Sequence, residues 1–257
     1  MHGEARRPCV RQSLTLMTIR AWSLSARTWN RATTTIVTFK ISSRTLLVFG
    51  DARFGGAAGE RQDVRQADGA TGAETTICYL VRHAHAEWRD DDSRPLSEAG
   101  IAAAGVLAER LASRPIAAVY TSPSRRSVET VEPLASRLGL CPEVVPDLRE
   151  RELPTVPPSE FEALVRQAWR LPAQAAGGGE SNVQAQVRGL AVVRTAVARH
   201  AGLQVVAATH GNLLALVLNA LDPSFAYEFW RGLSFPDVYQ VTFRGTECCG
   251  VERLWNA

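Results

Sequence analysis

The chain has 257 residues, of which 46% are hydrophobic and 21% charged, the make-up of a soluble globular protein with one large domain or one domain carrying an extension. Its formal charge of +3 is unevenly spread: eight Lys and Arg residues against Glu4 give +7 in residues 1–50 and leave −4 in residues 51–257, which excludes a nucleic-acid surface on the body of the protein. Apolar runs stay short of the roughly 18 residues of a membrane span, and Arg20 interrupts the stretch Ser13 to Leu24, a poor signal-peptide core, so neither secretion nor a membrane span is expected and a cytoplasmic location is.

Residues 1–75 are rich in Arg, Ser and Thr and poor in acids. They read as a basic, disordered extension and linker, or as upstream sequence joined by an early start codon. An organellar transit peptide and a small docking module are the competing readings. Two apolar runs here, Thr34 to Val37 and Leu46 to Phe49, have strand character but no evident partners. The stretch from Gly55 to Thr76 has linker composition. The five cysteines, Cys9, Cys78, Cys141, Cys248 and Cys249, are odd in number and lack CxxC spacing, which reads as reduced thiols.

From residue 76 the pattern alternates strand and helix. Residues 77–82 form a strand, 97–113 a helix with Ser97 as N-cap, 116–121 a strand, and 124–138 a helix stopped by Gly139. A short strand at 143–145 leads into a Pro-rich loop, 146–158, and a helix at 159–170. The Gly177-Gly178-Gly179 turn precedes a long helix, 182–200. A strand at 204–209, helices at 212–221 and 225–230, and strands at 238–243 and 251–254 complete the order. This implies an α/β three-layer sandwich, a mainly parallel sheet flanked by helices on both faces, over a domain of residues 76–257.

Two histidines stand at the carboxyl ends of strands, His83 after Arg82 and His210 before Gly211-Asn212. In open α/β sheets that edge binds ligands. A neutral imidazole is a capable phosphoryl acceptor, and Gly211 lets an anion approach the amides that open the next helix. The segment Tyr120-Thr121-Ser122-Pro123-Ser124-Arg125-Arg126-Ser127-Val128-Glu129-Thr130 turns from strand to helix and carries two arginines about 100° apart, so that one faces inward. A guanidinium fork there holds two phosphate oxygens at once. His83, His85 and His210 also invite a zinc reading, but Arg82 and Arg126 in the same pocket repel a dication.

Together these segments resemble the histidine phosphatase superfamily, the phosphoglycerate mutase-like proteins. Arg82-His83-Ala84 is similar to its Arg-His-Gly signature, and Ser122 to Thr130 to its second arginine motif, with the functional arginine falling on Arg126. Leu148-Arg149-Glu150-Arg151 resembles its acid-bearing segment, Gly178-Gly179-Glu180-Ser181 a characteristic turn, and His210-Gly211-Asn212 its second histidine motif. The resemblance spans about residues 76–257 and implies a phosphoglycerate mutase-like fold. It further implies a phosphoric monoester hydrolase of the histidine acid phosphatase type, with no cofactor and no metal, acting on a small phosphorylated metabolite. His83 would form a phosphohistidine, Arg82, Arg126 and His210 would stabilise the transferring phosphoryl group, and Glu150 would act as acid and then base. Glu152 and Glu87 are rival carboxylates. Arg89, Gly211 and Asn212 are expected to touch substrate.

Departures from the family bear on substrate. Ala84 replaces the signature glycine, Arg89 replaces the mutase asparagine, and Glu150-Arg151-Glu152-Leu153-Pro154 replaces the mutase segment Glu-Arg-His-Tyr-Gly. Hydrolysis is therefore expected over a phosphoglycerate-type mutase or a non-catalytic phosphate-binding protein. Substrate identity and oligomeric state are not readable from the sequence.

Overall fold

The computed structural model describes residues 11–12, 37–41, 44–48, 74–88, 93–175 and 177–255. These fall into two compact units, Thr15–Thr71 and the remainder. In the smaller unit, β2 (Val37–Ile41) and β3 (Arg44–Val48) form an antiparallel pair. The sequence left the runs Thr34 to Val37 and Leu46 to Phe49 without partners, and that is corrected here: Val37 pairs with Val48, and Leu47 and Leu46 pair with Thr38 and Phe39, while residues 34–36 and 49 lie outside the described residues.

The larger unit carries a seven-stranded sheet in the order β1-β6-β5-β7-β4-β8-β9. Its strands are β1 (Arg11–Gln12), β4 (Thr75–Arg82), β5 (Ile116–Thr121), β6 (Glu143–Val144), β7 (Gln204–Thr209), β8 (Asp237–Arg244) and β9 (Glu247–Arg253). The first five in the sheet order run parallel, β8 is antiparallel to β4 and β9 antiparallel to β8, so the sheet is mainly parallel, as the βα alternation implied. Six helices accompany it among the described residues: α1 (Glu98–Leu111), α2 (Arg125–Leu138), α3 (Pro158–Arg170), α4 (Asn182–Arg199), α5 (Gly211–Leu221) and α6 (Tyr227–Arg231). None of them is long and apolar enough to cross a membrane.

Local chemistry sets the helix ends. The Ser97 hydroxyl accepts from the Gly100 amide and caps α1. Gly139 closes α2 in the left-handed conformation at φ 66°, where a Cβ is costly. Ser181 and Gln184 form a reciprocal capping box at the start of α4.

The pleat divides the core in two. On one face Tyr79, Val81, Val119, Val206 and Ala208 pack against α1 and α2 through Leu107, Leu111, Val131 and Leu134. On the other, Cys78, Leu80, Val205 and Ala207 meet α4 and α5 through Val193, Val197, Leu213 and Leu214. Successive side chains of β4 and β7 thus serve opposite layers, and the middles of both strands, Ile77–Val81 and Val205–Ala208, carry no charged residue because both faces are covered.

One cysteine expectation is corrected. Cys141, two residues before β6, is disulfide-bonded, whereas Cys78, Cys248 and Cys249 are free. Its sulfur partner lies outside the described residues. β1 pairs with β6, Arg11 with Glu143 and Gln12 with Val144.

Candidate active site

β4 and β7 are parallel neighbours with Arg82 in register with Thr209. His83 and His210, each the next residue, therefore leave the sheet side by side, and the His83 amide donates to the Thr209 carbonyl at 2.9 Å. Their ring centroids are 5.1 Å apart, and both rings are buried, His210 completely. β5 ends one strand further along, and the turn after it starts α2 with Arg126 directed inward at 3% exposure. Arg125 turns outward and pairs with Glu129 at 2.6 Å, the split expected from 100° of helical rotation.

The Arg126 fork bridges the two imidazoles. Its Nε donates to His83 Nε2 at 3.2 Å and its Nη2 to His210 Nδ1 at 3.1 Å. A guanidinium only donates, so both ring nitrogens present lone pairs. The remaining nitrogens then carry the protons: His83 Nδ1 donates to the Ala84 carbonyl at 2.7 Å, and His210 Nε2 donates to the Ser122 hydroxyl at 2.7 Å. The Ala84 contact therefore selects the tautomer with a nucleophilic Nε2 facing the cationic cluster.

Electrostatics reinforce that state. Burial is the main force lowering the His83 pKa to about 3, with Arg126, Arg82 and Arg94 pushing the same way against the Ala84 carbonyl. His210 is held well below the ordinary histidine value by burial, then by His83 and Arg126. Both rings are neutral near pH 7. Arg82 is lowered to about 10 by burial, which Glu150 and Asp237 oppose, so it stays cationic.

This has a consequence for stability. An unfolded histidine takes up its proton near pH 6.5, whereas the folded His83 does so only near 3. Between those values the unfolded chain binds the extra proton, and stability falls as the pH is lowered, by up to about 1.4 kcal/mol per pH unit for each such ring. The urea midpoint is expected to drop from pH 6.5 to 4.5 more steeply in the wild type than in His83→Asn; parallel curves would contradict the buried neutral ring.

Arg82 is fixed from several sides. Its Nη1 donates to the carbonyls of Leu233 and Ser234 at 2.9 and 3.2 Å, and the Phe235 ring lies 3.4 Å from its Cζ. A Cβ on Gly211 would come 3.0 Å from Arg82 Nε, so glycine is what allows the guanidinium to lie against the start of α5. Thr130 locks the other side: its hydroxyl accepts from the Ala84 amide at 2.9 Å and donates to the Arg126 carbonyl at 2.6 Å.

The same architecture recurs in known proteins. A family model described as histidine phosphatase superfamily (branch 1) matches residues 78–256. The chain belongs to that superfamily. A metal-independent phosphoserine phosphatase of Arabidopsis thaliana is 31% identical over 166 residues, 56% of this chain and 68% of that protein. A mycobacterial glucosyl-3-phosphoglycerate phosphatase shares 26% identity at a TM-score of 0.58, covering 72% of this chain and 100% of its own. YhfR of Bacillus stearothermophilus is 25% identical at a TM-score of 0.60, covering 71% and 98%. The fold is also that of a Bacillus anthracis phosphoglycerate mutase, 18% identical at a TM-score of 0.58, covering 72% of this chain and 94% of that one, so the phosphoglycerate mutase-like architecture is present.

The superfamily's acid-bearing segment follows a single 3₁₀ turn, Pro146–Leu148. Glu150 reaches the start of α5, where its carboxylate accepts from the amides of Asn212 at 3.1 Å and Leu213 at 3.0 Å, and from its neighbour Arg151 at 2.8 Å. Glu152 instead points outward and pairs with Arg149, and Glu87 is exposed. Of the three rival carboxylates, Glu150 is the one tied to the helix that begins after His210. Asn212 is buried and contributes its amide to that contact. Arg89 lies outside the described residues.

Arg188 of α4 was not singled out in the sequence. Its Nε and Nη2 grip Glu180 at 2.6 and 2.7 Å, Nη1 donates to the carbonyls of Asp147 and Arg149 at 2.7 and 3.0 Å, and Nη2 donates to that of Glu150 at 3.2 Å. One largely buried guanidinium thus ties the acid segment to the turn before α4. Arg188→Met is expected to cost about 3 kcal/mol by leaving the Glu180 carboxylate with only the longer Arg149 contact at 3.9 Å, with part of that recovered in Arg188→Met/Glu180→Met. Denaturant unfolding of the single and double variants checks this, and equal losses would argue against a coupled pair.

Proposed function

We propose that the protein is a metal-independent phosphomonoesterase that hydrolyses a small phosphorylated metabolite through a phosphohistidine on His83. The carrying observation is the tautomer of His83: Nδ1–H is committed to the Ala84 carbonyl, leaving a neutral Nε2 lone pair beside the Arg126 fork. Membership of the superfamily and relatives named for phosphoserine and glucosyl-3-phosphoglycerate support the same reading. The catalytic domain is residues 76–257, with residues 1–75 an extension to it.

In this reading the phosphate group of the bound monoester takes over the Arg126 donors, which frees Nε2 to attack phosphorus. The N–P bond forms as the ester P–O bond breaks, and charge on the equatorial oxygens is stabilised by Arg82, Arg126 and His210. Glu150 protonates the leaving oxygen and then takes a proton from the water that cleaves the N–P bond. Arg89, Gly211 and Asn212 are the residues expected to touch substrate.

An arylphosphate assay in the presence of EDTA tests the reading. Turnover that persists with the chelator supports it. Activity that requires a bisphosphate primer would indicate a mutase, and phosphate binding without turnover a binding protein; either result overturns it.

A further inference from the structure

Ser122 lies in the turn after β5 and is fully buried. Its backbone is anchored by the amide, which donates to the Ala208 carbonyl at 3.0 Å. Its hydroxyl oxygen receives the His210 Nε2 proton at 2.7 Å and sits 3.3 Å from the Ser124 amide. No other protein group is bonded to Nε2 among the described residues. His210 meets the His83 ring after β4 and the Arg126 fork from α2, Arg82 and Glu150 lie against the start of α5 beside it, and the charges of Arg94, before α1, and Arg188, on α4, act on it from further off. In such surroundings a neutral imidazole has two tautomers of opposite use. With the proton on Nδ1 it would collide with an Arg126 donor; with the proton on Nε2 it accepts from Arg126, but it turns a lone pair toward the place an oxyanion must occupy.

Resting on the phosphatase reading above, we propose that Ser122 is a positioning residue that holds His210 with Nδ1 toward the phosphate and sustains the imidazolium formed when the monoester binds. As the Arg126 fork turns from the imidazoles to the phosphate oxygens, Nδ1 takes the proton of the bound monoester monoanion. The phosphate O–H bond breaks and the Nδ1–H bond forms, so the proton stays within the site and no other reactant is needed. The product is a dianionic phosphoryl group facing a cationic donor. Burial and the neighbouring cations oppose charge on His210 in the empty site; the arriving phosphate reverses that balance by adding negative charge within contact distance. The Nε2–H of the cation needs a buried acceptor throughout. Ser122 supplies it, and without that oxygen a charged donor would be left unpaired.

The test uses the full chain with inorganic phosphate as probe. Nitrogen-15 NMR of the wild type is expected to show His210 protonated on Nε2 alone in the free protein and on both nitrogens when phosphate is bound. A ring that stays singly protonated in the complex would overturn the proposal without need of any variant. Competitive inhibition of arylphosphate turnover by phosphate is then followed from pH 5 to 8. Ser122→Ala is expected to weaken phosphate roughly tenfold, the loss of one hydrogen bond to a charged group, and to move the pH midpoint of binding about one unit lower; Ser122→Thr, which restores the acceptor, is expected to return both toward wild type. Equal weakening in both variants with an unmoved pH midpoint would mean that Ser122 only packs. A wild type that neither binds phosphate nor turns over arylphosphate would sink the phosphatase reading itself, a distinct failure.

Discussion

His83→Ala is expected to lower turnover by roughly four orders of magnitude or more, the scale seen when a covalent nucleophile is removed, while the fold is retained. The side chain makes polar contacts to the Ala84 carbonyl and the Arg126 fork and ring contacts to His210 and Phe235, and none of these groups belongs to either main layer of the core. Truncation thus leaves the packing of β4 intact. It also removes a buried ring whose protonation the fold opposes, so stability below about pH 6 should rise relative to wild type by the linkage argued above. A second readout separates loss of the nucleophile from loss of binding. Brief reaction of the wild type with phosphorus-labelled monoester should leave acid-labile, base-stable label on the protein, as expected for a phosphoramidate, and His83→Ala should carry none. Retained label or full turnover in the variant would move the nucleophile elsewhere.

Much of this arrangement was legible because strand ends are easy to read and register follows from parallel pairing. Residues 116–121 and 204–209 were expected as strands and are observed with those bounds; His83 and His210 stand at one edge because Arg82 and Thr209 pair. The choice between Arg125 and Arg126 needed only helical rotation and the resemblance. Ser122 and Thr130 were inside a quoted motif, yet their roles depend on where a hydroxyl points, which no spacing encodes. Arg94, Arg188 and Phe235 left no signal. Arg188 is one of several cations on a long helix, and its direction is decided by how α4 packs beside the acid segment. Phe235 reaches Arg82 and His83 only because the turn after α6 folds back over β4. β9 begins at Glu247, four residues before the expected strand, because the run Glu247-Cys248-Cys249-Gly250 has too little alternation to announce an edge strand.

The inward arginine offers the second large effect. Arg126→Lys keeps the charge but replaces a rigid fork by a single ammonium on a flexible stem. In the resting site the fork spans two acceptors that follow different strands, His83 Nε2 and His210 Nδ1, and in the proposed mechanism the phosphoryl oxygens inherit the same two donors. One ammonium cannot hold that bidentate geometry, so kcat/KM is expected to fall about 10²–10³-fold, the cost of losing a preorganised donor to developing charge. The loss should appear in kcat more than in KM, because equatorial oxygens spread toward the fork in the transition state and the ground state gains less from it. Arg125→Lys is the matched control. Its partner Glu129 is an i,i+4 neighbour, and its own side chain is 54% exposed, a pairing worth little, so turnover should stay within about twofold. Comparable losses at the two positions would show that net positive charge near the end of β5, and not a directed guanidinium, is what the chemistry uses.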